Sequence, residues 1–253
     1  ADASVPAAAT PHQASEGPGT AMVEAKVLEA ASQTALALGV AADAASGSAG
    51  APQLKPQLIC TAEQLQALMQ RLDASTDPAA PVALDTETTA LNPFQAELVG
   101  IGLAWGDGAC DLAYIPIGHS VETAADATVQ LELAAVLAAL APWLASPRHP
   151  KTLQNAKYDR LVLLRHGLAL EGVVMDTMLA DYLRDSGDGH GLEAMAQRNF
   201  GFSPTSYGDL VAKGSSFAAV PISAAAQYCG MDVHLTWRLT GLLRQQLEAL
   251  GPA

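Results

Sequence analysis

The chain has 253 residues, half of them hydrophobic, with 26 acidic against 13 basic side chains and a formal net charge of −13. That length suits one large domain or two small ones, and the acidic balance argues against a broad basic surface that grips nucleic acid non-specifically. The cysteines, Cys60, Cys110 and Cys229, show neither a disulfide framework nor a zinc spacing, which fits a reducing cytoplasm, and no apolar run reaches the ~18 residues of a membrane span.

Residues 1–54 are rich in Ala, Gly, Pro, Ser and Thr and are expected to be a flexible tether. Within them, "AMVEAKVLEAASQTALALGV" (21–40) has the composition of a helix. The first residue is not Met, and a piece of a longer chain is expected. The folded domain is expected over 55–253. "QLIC" (57–60) reads as a short strand. "TAEQLQALMQRLDAS" (61–75) follows as a helix, with Thr61 as N-cap and Gln64 at the capping-box position. "PVALD" (81–85) is a strand, and "AELVGIGLAWG" (96–106) and "DLAYIPIGH" (111–119) are two more, joined by a short turn. Their close spacing predicts an antiparallel meander.

Helix is predicted over 128–146, strand over 151–156, helix over 157–167 and strand over 173–177. Helices over 176–185, 191–201 and 222–251 complete the chain, the last with a kink at Gly230. The order is that of an α/β domain, a mixed sheet flanked by helices. "GIGLAWG" (100–106) has a superficial likeness to a dinucleotide fingerprint, but it lies inside a strand and its third glycine is one place late, so core packing is the reading kept. His119, His166 and His234 have no metal spacing and read as hydrogen-bonded or surface side chains.

The stretch "VALDTETTALNP" (82–93) sets the functional question. Asp85 and Glu87 sit two apart on a strand, so both side chains share one face. Two like charges there repel, and a divalent cation removes the repulsion. Oxygen-only ligands suit Mg²⁺ or Mn²⁺ better than Zn²⁺. A solvated strand end explains the pair equally well when it is taken alone. Asp159 lies near the start of a helix, where the dipole favours an acid. Tyr228 and Asp232 are four apart and share a helix face. None of these is specific by itself.

Their order is specific. The segments "LDTETTALNP", "AYIPIGH", "QNAKYDRLVLLRHG", "DTMLADYL", "GLEAMAQR" and "QYCGMDVHLTWRL" run in one sequence across residues 82–239. In this the chain resembles the proofreading 3′–5′ exonuclease domain of bacterial DNA polymerase I, a DEDDy exonuclease. The resemblance implies an RNase H-like fold, with a three-stranded antiparallel meander plus parallel strands, and two-metal hydrolysis of a phosphodiester. It implies that Asp85, Glu87 and Asp232 ligate the metal that activates water, that Asp85 also touches a second metal, and that Asp159 supports that metal through water. The two ions would be Mg²⁺ or Mn²⁺. Tyr228 would orient the attacking water, being a poor base with an ordinary pKa of ~10.

Leu91 matches the family's apolar wedge against the terminal base, and it also suits a core position. Gln154, Asn155 and Tyr158 match its strand-contacting segment, and Tyr207 falls where the family has an aromatic near the terminal nucleotides. Packing or loop roles are open for Tyr158 and Tyr207 too. Lys157, Arg160, Arg198 and Lys213 are candidate phosphate contacts or plain surface charges. The implied substrate is a single-stranded or frayed DNA 3′ end. The implied partner is the polymerase domain of the same parent polypeptide, which is expected to lie outside these residues. A cytoplasmic, nucleoid-associated monomer with no membrane contact is expected. An RNase D-like exoribonuclease with the same metal chemistry is an alternative, and so is a catalytically silent scaffold domain.

Overall fold

The computed structural model describes residues 50–120 and 130–251. The helix expected over 21–40 and nearly all of the expected tether lie outside them. In chain order the elements are β1 (Gln57–Leu58), α1 (Ala62–Ala74), β2 (Val82–Thr88), β3 (Leu98–Ala104), β4 (Leu112–Pro116), α2 (Leu133–Leu144) and β5 (Lys151–Leu153). Then come α3 (Ala156–Arg165), β6 (Val173–Asp176), α4 (Thr177–Arg184), α5 (Leu192–Phe200), the one-turn α6 (Tyr207–Leu210), a 3₁₀ turn at Phe217–Ala219 and α7 (Ile222–Leu250). The strands form one sheet in the order β1-β4-β3-β2-β5-β6. β2, β3 and β4 are the antiparallel meander, and β1, β5 and β6 join in parallel. The predicted mixed sheet is therefore the one observed.

Side-chain alternation divides the sheet into two unlike faces. Val82 and Leu84 of β2, Ile101 and Leu103 of β3, and Ala113 and Ile115 of β4 pack with Leu68 and Leu72 of α1 and Trp143 and Leu144 of α2. The opposite face is lined by small residues: Ala83, Gly100, Gly102 and Ala104. α7 lies on that face, and its buried stripe is small as well, with Ala225, Ala226, Cys229, Gly230 and Val233. A Cβ on Gly102 would stand 2.4 Å from Cys229 Sγ, and one on Gly230 would stand 2.8 Å from Pro56 and 2.9 Å from Leu112. The glycines of "GIGLAWG" thus let a helix approach the sheet closely. α7 runs as unbroken helix through Gly230, where a kink was expected, and the glycine serves this close approach.

Local chemistry sets several boundaries. Thr61 and Gln64 form the expected capping box, with Gln64 N donating to Thr61 Oγ1 and Thr61 N donating to Gln64 Oε1. The helix expected over 128–146 begins only at Leu133, because the Gln130 side chain accepts from His119 N and donates to His119 O, which holds that segment outside the helix. The strand expected over 151–156 ends at Leu153. There Asp176 takes over the next backbone donors, accepting from Asn155 N at 3.2 Å and Ala156 N at 2.9 Å. His119 is a buried structural residue: its Nδ1–H donates to Val220 O and its Nε2 accepts from the Tyr114 hydroxyl. That hydroxyl fits because Gly100 has no side chain; a Cβ there would be 2.0 Å from it.

Candidate active site

The two sheet faces decide where the acids go. On β2 the residues that follow Ala83 by steps of two are Asp85 and Glu87, so both carboxylates point toward α7. Across the β2–β3 ladder they stand opposite Gly102 and Gly100. No side chain from β3 fills the space over them, and α7 supplies Tyr228, Cys229 and Asp232 instead. Asp159 arrives from the first turn of α3. β5 ends before it can pair with the outer half of β2, and Asp159 meets the edge left there: its Oδ1 accepts from Thr86 N at 3.0 Å and from Thr86 Oγ1 at 2.7 Å. Asp159 is 2% exposed and Glu87 is 7% exposed. An acid placed for the helix dipole alone would be in solvent; this one is a buried cross-link between α3 and β2.

The electrostatics are unbalanced. Burial pushes the Asp85 carboxyl up to about 6, against the pull of the Thr86 N–H and the Cys229 thiol. Burial, then Asp85, Asp232 and Asp159, push Glu87 well above the usual carboxylate range. Burial and Asp85 do the same to Asp159, and to Asp232, where the Tyr228 hydroxyl partly offsets them. No Lys or Arg among the described residues contributes to these shifts. Glu87 Oε1 is buried without a hydrogen-bond partner. Carboxylate oxygens of Asp85 and Glu87 lie within 4.8 Å of each other, and with an orphaned oxygen and no countercharge they fit a cation of the Mg²⁺ or Mn²⁺ kind; Asp159 and Asp232 act on them through their charge from farther away. Tyr228, raised by burial and by the Asp232 carboxylate, keeps its proton at neutral pH and acts as a donor.

The other predicted residues fall into two groups. Leu91 is 89% exposed, which removes the core reading, and Phe94 beside it is 65% exposed. The loop carrying them is held by Tyr158, whose hydroxyl donates to Ala90 O at 2.5 Å and lies 2.5 Å from Thr88 Oγ1. Tyr207 is partly exposed and stacks on Phe217 with ring centroids 6.3 Å apart; Phe217 in turn lies 5.9 Å from the Tyr228 ring. Gln154 points inward, donating to His190 O at 2.8 Å and accepting from the Thr177 hydroxyl. Asn155 takes the left-handed conformation at φ 61°, a role Asn tolerates better than most residues, and presents its backbone N–H to Asp176. Arg160 donates to Leu170 O, and Arg198 binds the buried Asp181 carboxylate at 2.7 Å, so both are engaged in the scaffold. Lys157 and Lys213 are exposed.

Sequence reasoning missed Phe94, Cys229 and the double-capping Asp176. Phe94 carried a signal, an apolar residue within a turn three places after Leu91. The close approach of α7 gives a direct test of the cradle. Gly102→Ala is expected to cost about 1–3 kcal/mol through overpacking against Cys229 and Val233. Adding Cys229→Ala should return part of that loss in a thermal melt; equal losses in the single and double variants would place the strain elsewhere.

Comparison with known proteins agrees with this architecture. A family model described as 3′-5′ exonuclease matches residues 56–248. DNA polymerase I of Synechocystis is 43% identical over 198 residues, covering 78% of this chain and 20% of that protein. DNA polymerase I of Chloroflexus aurantiacus is 40% identical over 171 residues, covering 66% and 17%. The chain therefore spans about a fifth of the length of the curated relatives it matches. Escherichia coli RNase D, an exoribonuclease, superposes with a TM-score of 0.58 at 21% identity, over 78% of this chain and 46% of that one. The DNA-bound polymerase Pol1 of M. smegmatis superposes with a TM-score of 0.56 at 23% identity, over 78% and 28%. These two share the fold, which is RNase H-like. With the family match running from β1 almost to the end of α7, and Asp85, Glu87, Asp159, Tyr228 and Asp232 all inside it, the chain belongs to the 3′–5′ exonuclease family found in DNA polymerase I.

Proposed function

We propose that this domain removes nucleotides from DNA 3′ ends by metal-dependent phosphodiester hydrolysis. The observation that carries the reading is the unpartnered, buried Glu87 oxygen among Asp85, Asp159 and Asp232 with no cationic side chain acting on them. Asp85, Glu87 and Asp232 would hold one divalent cation, Mg²⁺ or Mn²⁺, and Asp85 with Asp159 a second. Bound there, such a pair supplies a nucleophile at neutral pH and steadies the leaving 3′ oxygen. Tyr228 keeps its phenolic proton and orients water by hydrogen bonding. Thr86 fixes Asp159, so that acid supports the site without rotamer freedom. Leu91 and Phe94 offer exposed apolar surface on one loop, and Tyr207 offers a ring already stacked on Phe217. Unpaired bases suit such surfaces, because stacking is tolerant of sequence. Gln154, Asn155 and Tyr158 then act on the strand mainly through the backbone and loops they hold.

DNA is favoured over RNA by the polymerase relatives at 43% and 40% identity. The polymerase domain of the same parent polypeptide is the proposed partner, and the bacterial cytoplasm the proposed location. The test is digestion of 3′-labelled single-stranded DNA and RNA of one sequence with Mn²⁺. Stepwise loss of the DNA label is expected, with Leu91→Ala slower than the parent at unchanged melting temperature. Label intact on DNA would overturn the reading, and faster loss from RNA would transfer it to the exoribonuclease branch.

A further inference from the structure

Four carboxylates select hard cations, but the cleft contains one soft donor as well. Cys229 Sγ lies 3.8 Å from Asp85 Oδ2. That sulfur, one Asp85 oxygen and one Glu87 oxygen all lie within 4.8 Å of one another. In a tetrahedral zinc-type site, with metal–sulfur distances of about 2.3 Å and metal–oxygen distances of about 2.1 Å, sulfur and oxygen ligands sit roughly 3.5 Å apart. The Cys229–Asp85 spacing of 3.8 Å is close to that value. Independently, Glu87 Oε1 is buried and unpartnered in the same cluster, on a residue 7% exposed. The thiol occupies the space that a Gly102 side chain would otherwise fill, 2.4 Å from where its Cβ would stand.

We propose that Asp85, Glu87 and Cys229 form a three-ligand site for a thiophilic divalent cation of the Zn²⁺ or Cd²⁺ class, overlapping the hard-cation position. The proposal rests on the reading that Asp85 and Glu87 hold a metal. The thiol gives up its proton to solvent as the metal–sulfur bond forms. A mixed carboxylate–thiolate set favours such ions over Mg²⁺ and Mn²⁺. An ion so held uses ligands the hard cations need, so the domain carries a built-in sensitivity to zinc-class metals.

The probe is Co²⁺, whose bond to a thiolate gives a near-ultraviolet charge-transfer band. Cys60 is half-buried and Cys110 exposed, so the measurement uses the Cys60→Ser/Cys110→Ser protein, in which Cys229 is the remaining thiol. A saturable band is expected, lost on adding Cys229→Ser or Asp85→Asn. Calorimetric Cd²⁺ affinity should fall on the order of tenfold or more with Cys229→Ser, while Mn²⁺ affinity changes by less than about threefold. Circular dichroism checks that each variant is folded; should Cys229→Ser not fold, the band in the Cys229-containing protein still decides. Mn²⁺ binding with no cobalt–sulfur band overturns this proposal alone. Failure of both Mn²⁺ and Co²⁺ to bind overturns the metal reading and this proposal together.

Discussion

Asp85→Asn is expected to raise the melting temperature of the metal-free protein at neutral pH while removing nuclease activity. In the folded state burial lifts the Asp85 carboxyl to about 6; in the unfolded chain it titrates near ~3.9. Between those values the folded state binds a proton that the unfolded state does not, so stability falls as pH rises through that window. The loss is complete above it, on the order of 3 kcal/mol for this one group. Asn has the same shape and no charge, and it relieves Glu87, Asp159 and Asp232 as well, each of which is pushed up by Asp85. A gain of several degrees is expected for a domain of this size. The same change removes the ligand that the proposed mechanism shares between both metal positions, and it should lower the hydrolysis rate on the order of 10³-fold or more. Thermal melts with chelator, between about pH 4 and 7, should show a shallower slope for the variant. Added Mn²⁺ should stabilise the parent and leave the variant nearly unchanged. Parallel slopes for the two proteins would rule out Asp85 as the strained group.

Asp176→Ala should be the most damaging single change among the polar caps of the fold. Its carboxylate caps α4, accepting from Met178 N at 3.0 Å and Leu179 N at 3.2 Å. It also accepts from Asn155 N and Ala156 N at the start of α3. Four backbone donors lose their acceptor together. One cap is worth about 1 kcal/mol, and two helix starts together about 2–4 kcal/mol. The effect reaches the chemistry because Asp159 rides on the first turn of α3. Denaturant unfolding should show the stability loss, and Asp176→Asn, which keeps one oxygen, should lie between the parent and the alanine variant. In the folded fraction, activity should fall with little change in KM, since the displaced group is the proposed metal support. An alanine variant as stable as the parent would show that water replaces the carboxylate at both helices.

The sequence made the sheet and the acids legible for a simple reason: period-two and period-four spacings are local. Asp85 and Glu87 must share a face of β2, and Tyr228 and Asp232 must share a face of α7, whatever the rest of the chain does. The small residues of "GIGLAWG" were legible as packing, but what packs there was not, because Cys229 is supplied by a distant helix. Asp159 reads locally as a helix acid; its contact with Thr86 depends on β5 stopping short. Gln154, Arg160 and Arg198 look like surface contacts in sequence, yet each finds a partner in the scaffold that only the tertiary structure brings near. The late start of α2 turned on the Gln130 side chain, which competes with helix from a loop eleven residues away.

The junction of β2 with α7 has a consequence for how the protein forms. Asp85 and Cys229 touch across a sequence separation of 144 residues. The meander can close early from neighbouring segments, but the cleft exists only after the final helix has crossed the finished sheet, a pairing with a large loop-closure entropy. Asp232 is therefore expected to join Asp85 and Glu87 late. A cation bound in the completed cleft would therefore slow unfolding and leave the folding rate little changed.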